Sequence, residues 1–373
     1  QNYFKAMLDA DKANAIFQSK TGVIIEIPAI QGVDTYALEL PADILAEAQD
    51  GVPPTFATPF GSIQIPGGML SDQSGLSGKK AAISLGKGDK SALTDEEKAA
   101  IGDRPLIQLA LIIDGIQTEW NNPDAPVKIT IPYTPTEEEL KNPESIIIWY
   151  LDGSGKLLSV PNGQYDSETG TVTFYTAHFS QYAVGYNPIS FKDVDENAWY
   201  SKAVSFIAAR GITAGTGNGN YSPLAKLTRG EYIVLLMRAL DIAPDTNPKD
   251  NFTDAGNTYY TGYLAAAKRL GISAGIGNNM FGPGLQISRQ EIFTLTYNAL
   301  KQTGKLPETD TGKRLEDYSD KSQISDWAKE AMEYFVRTGI IVGSGNKLYP
   351  KEMTTRAEIA QVIKNILLLW DKT

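Results

Sequence analysis

The sequence predicts a multidomain chain, with a β-sandwich-like domain over residues 1–187 and a repetitive helical region over residues 188–373. Two observations predict this division. Up to Asn187, the apolar residues fall in many short runs separated by Pro and Gly, which is typical of sandwiches. From Pro188 onward, the apolar period changes from two to about 3.6, which favours helices.

The strands of the first domain are predicted from short apolar runs that turn residues bound on both sides. They are expected over residues 23–27, 35–40, 62–65, 81–85, 106–113, 127–131, 146–151, 171–175 and 182–186. Residues 152–155 and 168–170 are typical of hairpin turns. Short helices are expected within 1–20, 41–48 and 94–100, and the last begins with a capping-box pair, Thr94 and Glu97.

One motif occurs three times in the second region, at residues 228–231, 288–291 and 355–358: a hydroxyl residue, Arg, a small or polar residue and Glu. This is the spacing of a capping box, in which the hydroxyl and the Glu satisfy N–H groups at a helix start. A helix start is partly positive and can hold an anion, and an arginine there adds a planar fork that suits a carboxylate. The motif therefore predicts three anion-binding helix starts.

The three boxes belong to three repeats, which we place at residues 188–245 (repeat 1), 246–312 (repeat 2) and 313–373 (repeat 3). Each repeat has an aromatic-x-Asp start, an aromatic residue, a helix, a Gly-Ile step and a Gly-x-Gly turn. A proline step then leads into the box. In repeat 1 these elements are Phe191-Lys192-Asp193, Trp199-Tyr200, Gly211-Ile212, Gly215-Thr216-Gly217 and Tyr221-Ser222-Pro223. One unit alone buries too little to be stable, so the repeats should stack.

This order of motifs resembles the surface-layer homology (SLH) domain, in three copies over roughly half of the chain. The resemblance implies an all-α, three-repeat pseudo-trimer, a spindle centred on a three-helix bundle. It also implies that the protein is secreted and lies at the cell surface, in the cell wall or S-layer of a Gram-positive bacterium. The implied function is non-covalent anchoring, through binding of a pyruvylated secondary cell-wall polysaccharide.

The resemblance also implies which residues bind that polysaccharide. Arginines would pair with the ketal carboxylate, aromatic residues would pack on the sugar, and aspartates would accept sugar hydrogen bonds or brace the groove. Glycines would let the ligand approach the backbone. By position these are Arg229, Arg289 and Arg356; Trp199, Tyr259 and Trp327; Asp193, Asp254 and Asp320; and Gly215, Gly275 and Gly343. Structural roles stay open: an ion pair with an acid of a neighbouring repeat for the arginines, core packing for the tryptophans, and helix or turn capping for the aspartates.

Composition and charge restrict the function further. The chain has no cysteine and a single histidine, so we expect neither a metal site nor a cofactor. Residues 1–189 hold 12 Lys and Arg against 24 Asp and Glu, and the remaining residues hold 22 against 20, so nucleic acid is not an expected partner. No apolar run is long enough to cross a membrane. The start at Gln1 rather than Met predicts a processed chain.

The triplet His178-Phe179-Ser180 carries an alternative function. A serine hydroxyl can attack the carbonyl of the preceding residue when a base is adjacent, and hydrolysis of the resulting ester cuts the chain between Phe179 and Ser180. The triplet resembles the cleavage site of self-processing sandwich modules; the other interpretation is a turn cap before the strand at 182–186.

We therefore do not expect an enzyme, and self-cleavage is the alternative. A wall-bound hydrolase stays open as a second alternative. A third is an S-layer lattice subunit that contacts neighbouring surface-protein subunits.

Overall fold

The computed structural model describes residues 2–369 of the chain. It divides into two compact units, Gln1–Asn187 and Pro188–Thr373. Gln1, on which the expectation of processing depends, lies outside the described residues. The three-repeat division of the C-terminal unit stays a prediction.

The N-terminal unit contains two β-sheets. The eight-stranded sheet has the order β1-β3-β6-β7-β14-β10-β11, and β8 pairs with β7 off this path. Its strands are β1 (Tyr3–Met7), β3 (Thr35–Pro41), β6 (Lys80–Lys87), β7 (Leu106–Ile113), β8 (Ile116–Thr118), β10 (Ile146–Leu151), β11 (Leu157–Val160) and β14 (Gln181–Tyr186). The six-stranded sheet has the order β12-β13-β9-β5-β4-β2. Its strands are β2 (Ile24–Glu26), β4 (Thr55–Thr58), β5 (Gly61–Gln64), β9 (Val127–Pro132), β12 (Gln164–Asp166) and β13 (Thr171–Thr176).

The two sheets share one apolar core. Buried and partly exposed residues alternate along β7 and β9, because successive side chains of a strand point to opposite faces. Leu38 and Leu109 of the first sheet and Phe56 and Ile129 of the second belong to this core. Four short helices complete the unit: α1 (Ala10–Phe17), α2 (Ala42–Ala46), α3 (Asp95–Ile101) and α4 (Glu137–Lys141). The capping box predicted at Thr94 and Glu97 is confirmed at the start of α3.

The first residues differ from the sequence prediction of one helix within 1–20. Tyr3–Met7 forms β1, which pairs in parallel with β3 from Tyr3↔Thr35 to Met7↔Glu39. A short apolar run fits a strand or a helix equally well, so the pattern alone could not separate them. The helix begins only at Ala10, where the Asp9 side chain accepts a hydrogen bond from Lys12 N at 2.9 Å.

The C-terminal unit has two longer helices in each predicted repeat, packed around one apolar core. They are α5 (Ser201–Ala209), α6 (Arg229–Ala239), α7 (Thr261–Arg269), α8 (Arg289–Gln302), α9 (Lys329–Arg337) and α10 (Arg356–Leu369). Short 3₁₀ turns precede α9, at Leu315–Asp317, Lys321–Gln323 and Asp326–Ala328.

The predicted fold class, an all-α pseudo-trimer centred on a three-helix bundle, is wrong for this unit, which is only partly helical. Long irregular segments separate the helices, such as residues 210–228 between α5 and α6. These segments contain left-handed residues, including Asn218 at φ 54° and Ser222 at φ 58°, which cannot continue a right-handed helix. Isolated β-bridges then join the segments: Lys226↔Thr355, Thr228↔Gln286 and Ser288↔Met353.

Residues 2–369 contain neither a membrane-spanning helix nor a cluster of metal-binding side chains. None of the helices there has the length and apolar character of a membrane span. No group of three or more His, Cys, Asp or Glu in that range is placed to hold a metal ion.

Candidate functional site

The three capping boxes form as the sequence predicts. Thr228 Oγ1 accepts a hydrogen bond from Glu231 N at 3.2 Å, and Glu231 Oε2 accepts one from Thr228 N at 2.8 Å. Ser288 with Glu291 and Thr355 with Glu358 repeat the arrangement. Each box therefore fixes the start of α6, α8 or α10.

The first two N–H groups inside each of these helices donate to carbonyls of another repeat. Arg229 N donates to Leu285 O at 2.8 Å, and Gly230 N donates to Pro283 O at 2.9 Å. The other two helix starts make the equivalent bonds at 2.9 Å: Arg289 N to Glu352 O, Gln290 N to Pro350 O, Arg356 N to Ala225 O and Ala357 N to Pro223 O. These donors would otherwise attract an anion to a helix start. Here they hold the neighbouring repeat.

The arginine side chains reach the same neighbouring repeats. Each Nε donates to a backbone carbonyl: Arg229 to Phe281 O at 2.8 Å, Arg289 to Leu348 O at 3.0 Å and Arg356 to Tyr221 O at 2.8 Å. Each Nη1 lies near a capping-box glutamate: Arg229 at 2.6 Å from Glu291 Oε1, Arg289 at 3.6 Å from Glu358 Oε1 and Arg356 at 3.2 Å from Glu231 Oε1. The ion pair with a neighbouring acid, left open from the sequence, is therefore present at all three positions.

The arginines differ in exposure. The side chains of Arg229 and Arg356 are 5% and 6% exposed, whereas that of Arg289 is 19% exposed. Burial lowers the pKa of Arg229, and the Glu291 carboxylate offsets this in part. Arg289 thus has the longest ion pair and the most exposed side chain of the three.

The capping-box glutamates have a second role that was not predicted from the sequence: they form ion pairs between repeats. In Glu231 and Glu291, Oε2 caps the helix that carries the residue, whereas Oε1 pairs with an arginine of another repeat. A carboxylate has two oxygens, and a capping box uses only one of them. That second oxygen is the signal from which an ion-pair partner could have been inferred.

The three aspartates brace turns. Asp193 accepts hydrogen bonds from Tyr221 N and Ser222 N, each at 2.8 Å. Asp254 accepts from Phe281 N and Gly282 N, and Asp320 from Leu348 N and Tyr349 N. Burial alone would raise the pKa of the Asp193 carboxyl. The backbone N–H donors outweigh burial and hold this pKa below its usual value. These bonds match the turn capping that the sequence left open for the aspartates, and their contact with a sugar stays a prediction.

The backbone conformation and the close packing at the three predicted glycines require glycine. Gly215, Gly275 and Gly343 have φ values of 79°, 80° and 72°, in the left-handed region. A Cβ atom on Gly215 would lie 2.3 Å from Asn220 O and 2.6 Å from Phe191 Cε1. The other two glycines face the equivalent carbonyl and aromatic ring at similar distances. The protein's own hairpin therefore excludes a side chain there, whether or not a ligand approaches.

The three predicted aromatic site residues lie open to solvent. Trp199, Tyr259 and Trp327 are 64%, 61% and 56% exposed. Core packing, the alternative for the tryptophans, is therefore not their role. Burial of part of its ring raises the pKa of Tyr259, the nearby charge of Glu231 raises it further, and that of Arg356 opposes both. Tyr259 of repeat 2 thus lies close to an arginine–glutamate pair formed by repeats 1 and 3.

In the His178-Phe179-Ser180 triplet, the serine and the histidine each contact an oxygen of a neighbouring residue. Ser180 Oγ donates to Leu151 O at 3.2 Å, whereas His178 Nδ1 lies 3.5 Å from Thr176 Oγ1. The Phe179 ring packs against Trp120, with ring centroids 4.6 Å apart. Self-cleavage between Phe179 and Ser180 stays an untested alternative.

Comparison with known proteins identifies the repeats. Residues 190–233, 251–293 and 317–360 each match the S-layer homology domain. The chain is 30% identical over 174 residues to S-layer protein sap of Bacillus anthracis, covering 47% of this chain and 21% of that protein.

Proteins with enzyme names match as well. An amylopullulanase of Thermoanaerobacterium thermosulfurigenes is 28% identical over 243 residues, which is 65% of this chain and 13% of the relative. Exoglucanase XynX of Acetivibrio thermocellus is 30% identical over 181 residues, which is 48% of this chain and 16% of that relative. The chain thus spans about a fifth or less of the length of these relatives, and the expectation that it is not an enzyme stays a prediction.

The three segments that match the family contain the site residues described above. The relatives include proteins named for the surface layer, which supports a place at the cell surface or cell wall for a protein with these domains. The boxes, braced turns and exposed aromatics all recur within the three matched segments. The chain therefore carries three S-layer homology domains within residues 190–360.

Proposed function

We propose that the three SLH domains anchor this protein non-covalently to the cell wall by binding a pyruvylated secondary cell-wall polysaccharide. In this proposal the chain is secreted and binds without turnover. We place the binding sites between neighbouring repeats, at the arginine–glutamate pairs. Tyr259 is the exposed aromatic residue near the pair of Arg356 and Glu231.

One observation carries the proposal: a large aromatic side chain is exposed at the same position in each repeat. Trp199, Tyr259 and Trp327 each precede a core helix by a few residues, and each leaves more than half of its surface in water. Exposure of one such residue needs no explanation, but its recurrence in three repeats indicates a shared binding role. The ring face offers a flat apolar surface on which the C–H face of a sugar can pack.

The arginines supply the charge that an acidic sugar requires. A guanidinium has five N–H donors in a planar fork. The contacts described above use Nε and Nη1, so we assign the Nη2 donors to the ketal carboxylate. Arg289 is the most accessible of the three and should contribute most to binding. The aspartates and glycines would shape the sites by holding the turns beside them.

The test is calorimetry of the full chain with purified wall polysaccharide, before and after mild acid removal of the ketal pyruvate. We expect binding to the intact polymer and loss of binding after depyruvylation. Equal affinity for both polymers would refute the role of the carboxylate. Absence of binding to either polymer would refute the proposed function as a whole.

A further inference from the structure

The short hairpin turn in front of each braced segment has a different residue pair in each repeat. In all three repeats a two-residue turn closes an isolated β-bridge, and both turn residues have a left-handed φ. The pairs are Asn218-Gly219, Asn278-Asn279 and Gly345-Asn346, with φ values of 54° and 78°, 50° and 55°, and 55° and 60°. These values are typical of a type I′ turn, which Asn and Gly both accept. The backbone of the turn therefore does not require glycine after asparagine.

Among the three turns, that of repeat 1 has asparagine followed directly by glycine. This order is chemically reactive, because glycine has no side chain to shield its backbone nitrogen from the amide carbon of the preceding asparagine. The nitrogen can attack that carbon and close a five-membered succinimide ring.

The reacting groups of the Asn218-Gly219 pair are accessible. Both residues are exposed. Within residues 2–369, neither the Asn218 side-chain amide nor the Gly219 N–H makes a hydrogen bond. The peptide group between the two residues has one hydrogen bond, from Lys192 Nζ to Asn218 O at 3.1 Å.

The second Asn-Gly pair of the chain, Asn162-Gly163, is held in place. The Asn162 side chain donates to Tyr175 O at 3.1 Å and accepts from Tyr175 N at 2.8 Å. Gly163 is buried, and its N–H donates to Val160 O at 3.1 Å. The same dipeptide is therefore restrained in the N-terminal unit and unrestrained in repeat 1.

The turns of repeats 2 and 3 are restrained as well. In repeat 2, Asn279 Nδ2 donates to Asn251 O at 3.2 Å, which ties the side chain of the second turn residue to the repeat. In repeat 3, the nitrogen that would attack Asn346 is Lys347 N, which donates to Ser344 O at 3.0 Å.

The turn of repeat 1 can reach the reactive geometry without opening. A succinimide ring fixes ψ of its asparagine near the value of the first central residue in a type II′ turn, about −120°. Types I′ and II′ differ by a rotation of the central peptide, here the one that joins Asn218 to Gly219. This rotation keeps the 3.0 Å hydrogen bond from Asn220 N to Gly217 O and breaks that of the exposed Lys192 ammonium.

We propose that Asn218 is a site of self-modification, at which the folded chain slowly converts this asparagine to isoaspartate. The Gly219 nitrogen loses its proton to solvent and bonds to Asn218 Cγ. The Cγ–Nδ2 bond then breaks, and the nitrogen leaves as ammonia after taking up a proton. Water adds to a ring carbonyl and opens the ring; opening at the backbone carbonyl of Asn218 leaves isoaspartate. Water is the only co-reactant.

The product changes the joint between repeats 1 and 3. Isoaspartate lengthens the backbone of the turn and adds a carboxylate, three positions before Tyr221. Tyr221 N donates to Asp193 Oδ1 at 2.8 Å, and Tyr221 O accepts from Arg356 Nε at 2.8 Å. A longer turn displaces Tyr221 from these partners, so the conversion weakens the contact by which repeat 3 holds repeat 1.

The experiment incubates the full chain in mildly alkaline buffer, below its unfolding temperature, in water labelled with a heavy oxygen isotope. Peptide mapping by mass spectrometry, with electron-transfer fragmentation, separates isoaspartate from aspartate. We expect labelled isoaspartate to accumulate at Asn218, while the peptides that contain Asn162, Asn278 and Asn346 keep their amides.

Two variants separate the reaction from its effect. Gly219→Asn gives repeat 1 the residue pair of repeat 2, and should keep the fold and stop the conversion. Asn218→Asp adds the charge without the longer backbone, and should unfold at nearly the same urea concentration as the parent chain. The isoaspartate form, purified by ion exchange, should unfold at a lower urea concentration than either.

Four results would overturn the inference. Labelled isoaspartate is absent from position 218, or Asn162 or Asn278 converts as fast as Asn218. Gly219→Asn converts at the rate of the parent chain, or the isoaspartate form is as stable as Asn218→Asp. None of these measurements uses the wall polymer, so they leave the proposed function to its own test.

Discussion

Arg356 Nη1 lies 3.2 Å from Glu231 Oε1, although 125 positions separate the two residues in the sequence. The same arginine donates its Nε to Tyr221 O, and Tyr221 donates its hydroxyl to Arg356 O at 2.8 Å. Repeat 3 is thus joined to repeat 1 by the same kind of contact that joins repeat 1 to 2 and repeat 2 to 3. The three contacts form a closed ring.

Replacing Arg356 by Ala should destabilise the C-terminal unit by about 1–3 kcal/mol, because Glu231 and Tyr221 O lose a partly buried partner. Denaturant unfolding measures this. The control is Arg314→Ala, which removes an exposed ion pair with Asp310 and should cost less than about 1 kcal/mol. Equal effects of the two substitutions would contradict the structural role of Arg356. A weaker affinity of this variant for wall polymer would have to be corrected for the lost stability.

A chain ended at residue 312 should lose the cooperative unfolding of residues 188–312. Without repeat 3, the core residues of α5 lose α10 as a partner, and the Tyr221–Leu227 segment loses its hydrogen bonds. Limited proteolysis with mass spectrometry follows this directly. We expect cleavage within 188–312 and survival of residues 1–187, which have their own core. A protease-resistant 188–312 fragment would show that the ring is not required.

Gly215→Ala should destabilise the protein by about 1–3 kcal/mol even without ligand, because Gly215 has a left-handed φ and its Cβ position is filled by Asn220 O and Phe191. Gly217→Ala is the matched control. Gly217 is also left-handed, but a Cβ atom there meets no heavy atom within 4 Å. Thermal unfolding of both variants separates the clash from the backbone strain. A smaller loss for Gly215→Ala than for the control would argue against the packing explanation.

The stability that Asp193 contributes should depend on pH. Its pKa is lowered in the folded protein, so its contribution is present above the unfolded value of about 3.9 and is lost as the pH falls through the folded value. Asp193→Asn should therefore destabilise most near neutral pH, and the difference from the parent chain should shrink below about pH 4. Urea unfolding across this range tests the sign. A difference that grows on acidification would contradict the bracing by Tyr221 N and Ser222 N.

Trp327→Ala should weaken wall-polymer binding without loss of stability. Trp327 is 56% exposed, so its removal opens no cavity, whereas loss of the ring face should cost roughly 0.5–1.5 kcal/mol of binding free energy. Calorimetry and thermal unfolding measure the two effects separately. Trp327→Tyr keeps a ring and should retain most of the affinity. Unchanged binding in the alanine variant would remove this residue from the site.

Local features of the C-terminal unit could be predicted from the sequence. The capping boxes at Thr228, Ser288 and Thr355 depend on residues three positions apart, and all three form. The arginine partners could not be predicted with the same certainty. They lie about 60 residues away for Arg229 and 125 for Arg356, and their pairing depends on how the repeats stack.

The departures from the predicted fold also have physical causes. The left-handed turns that interrupt the helices include Asn218, Ser222 and Tyr349, and non-glycine residues give little warning of a positive φ. In the N-terminal unit, β1 is an exposed edge strand, with Tyr3 and Met7 46% and 60% exposed. Such a strand lacks the alternation that marks a half-buried one.

The ring has a mechanical consequence for a protein that is held in place by these repeats. Tension applied through residue 188 pulls first on repeat 1, whose Tyr221 and Pro223 carbonyls are held by Arg356 and Ala357 at the far end of the chain. The load is therefore shared between the first and last repeats from the beginning. Repeat 1 cannot dissociate from the unit alone, because its release requires the contacts with repeats 2 and 3 to break together.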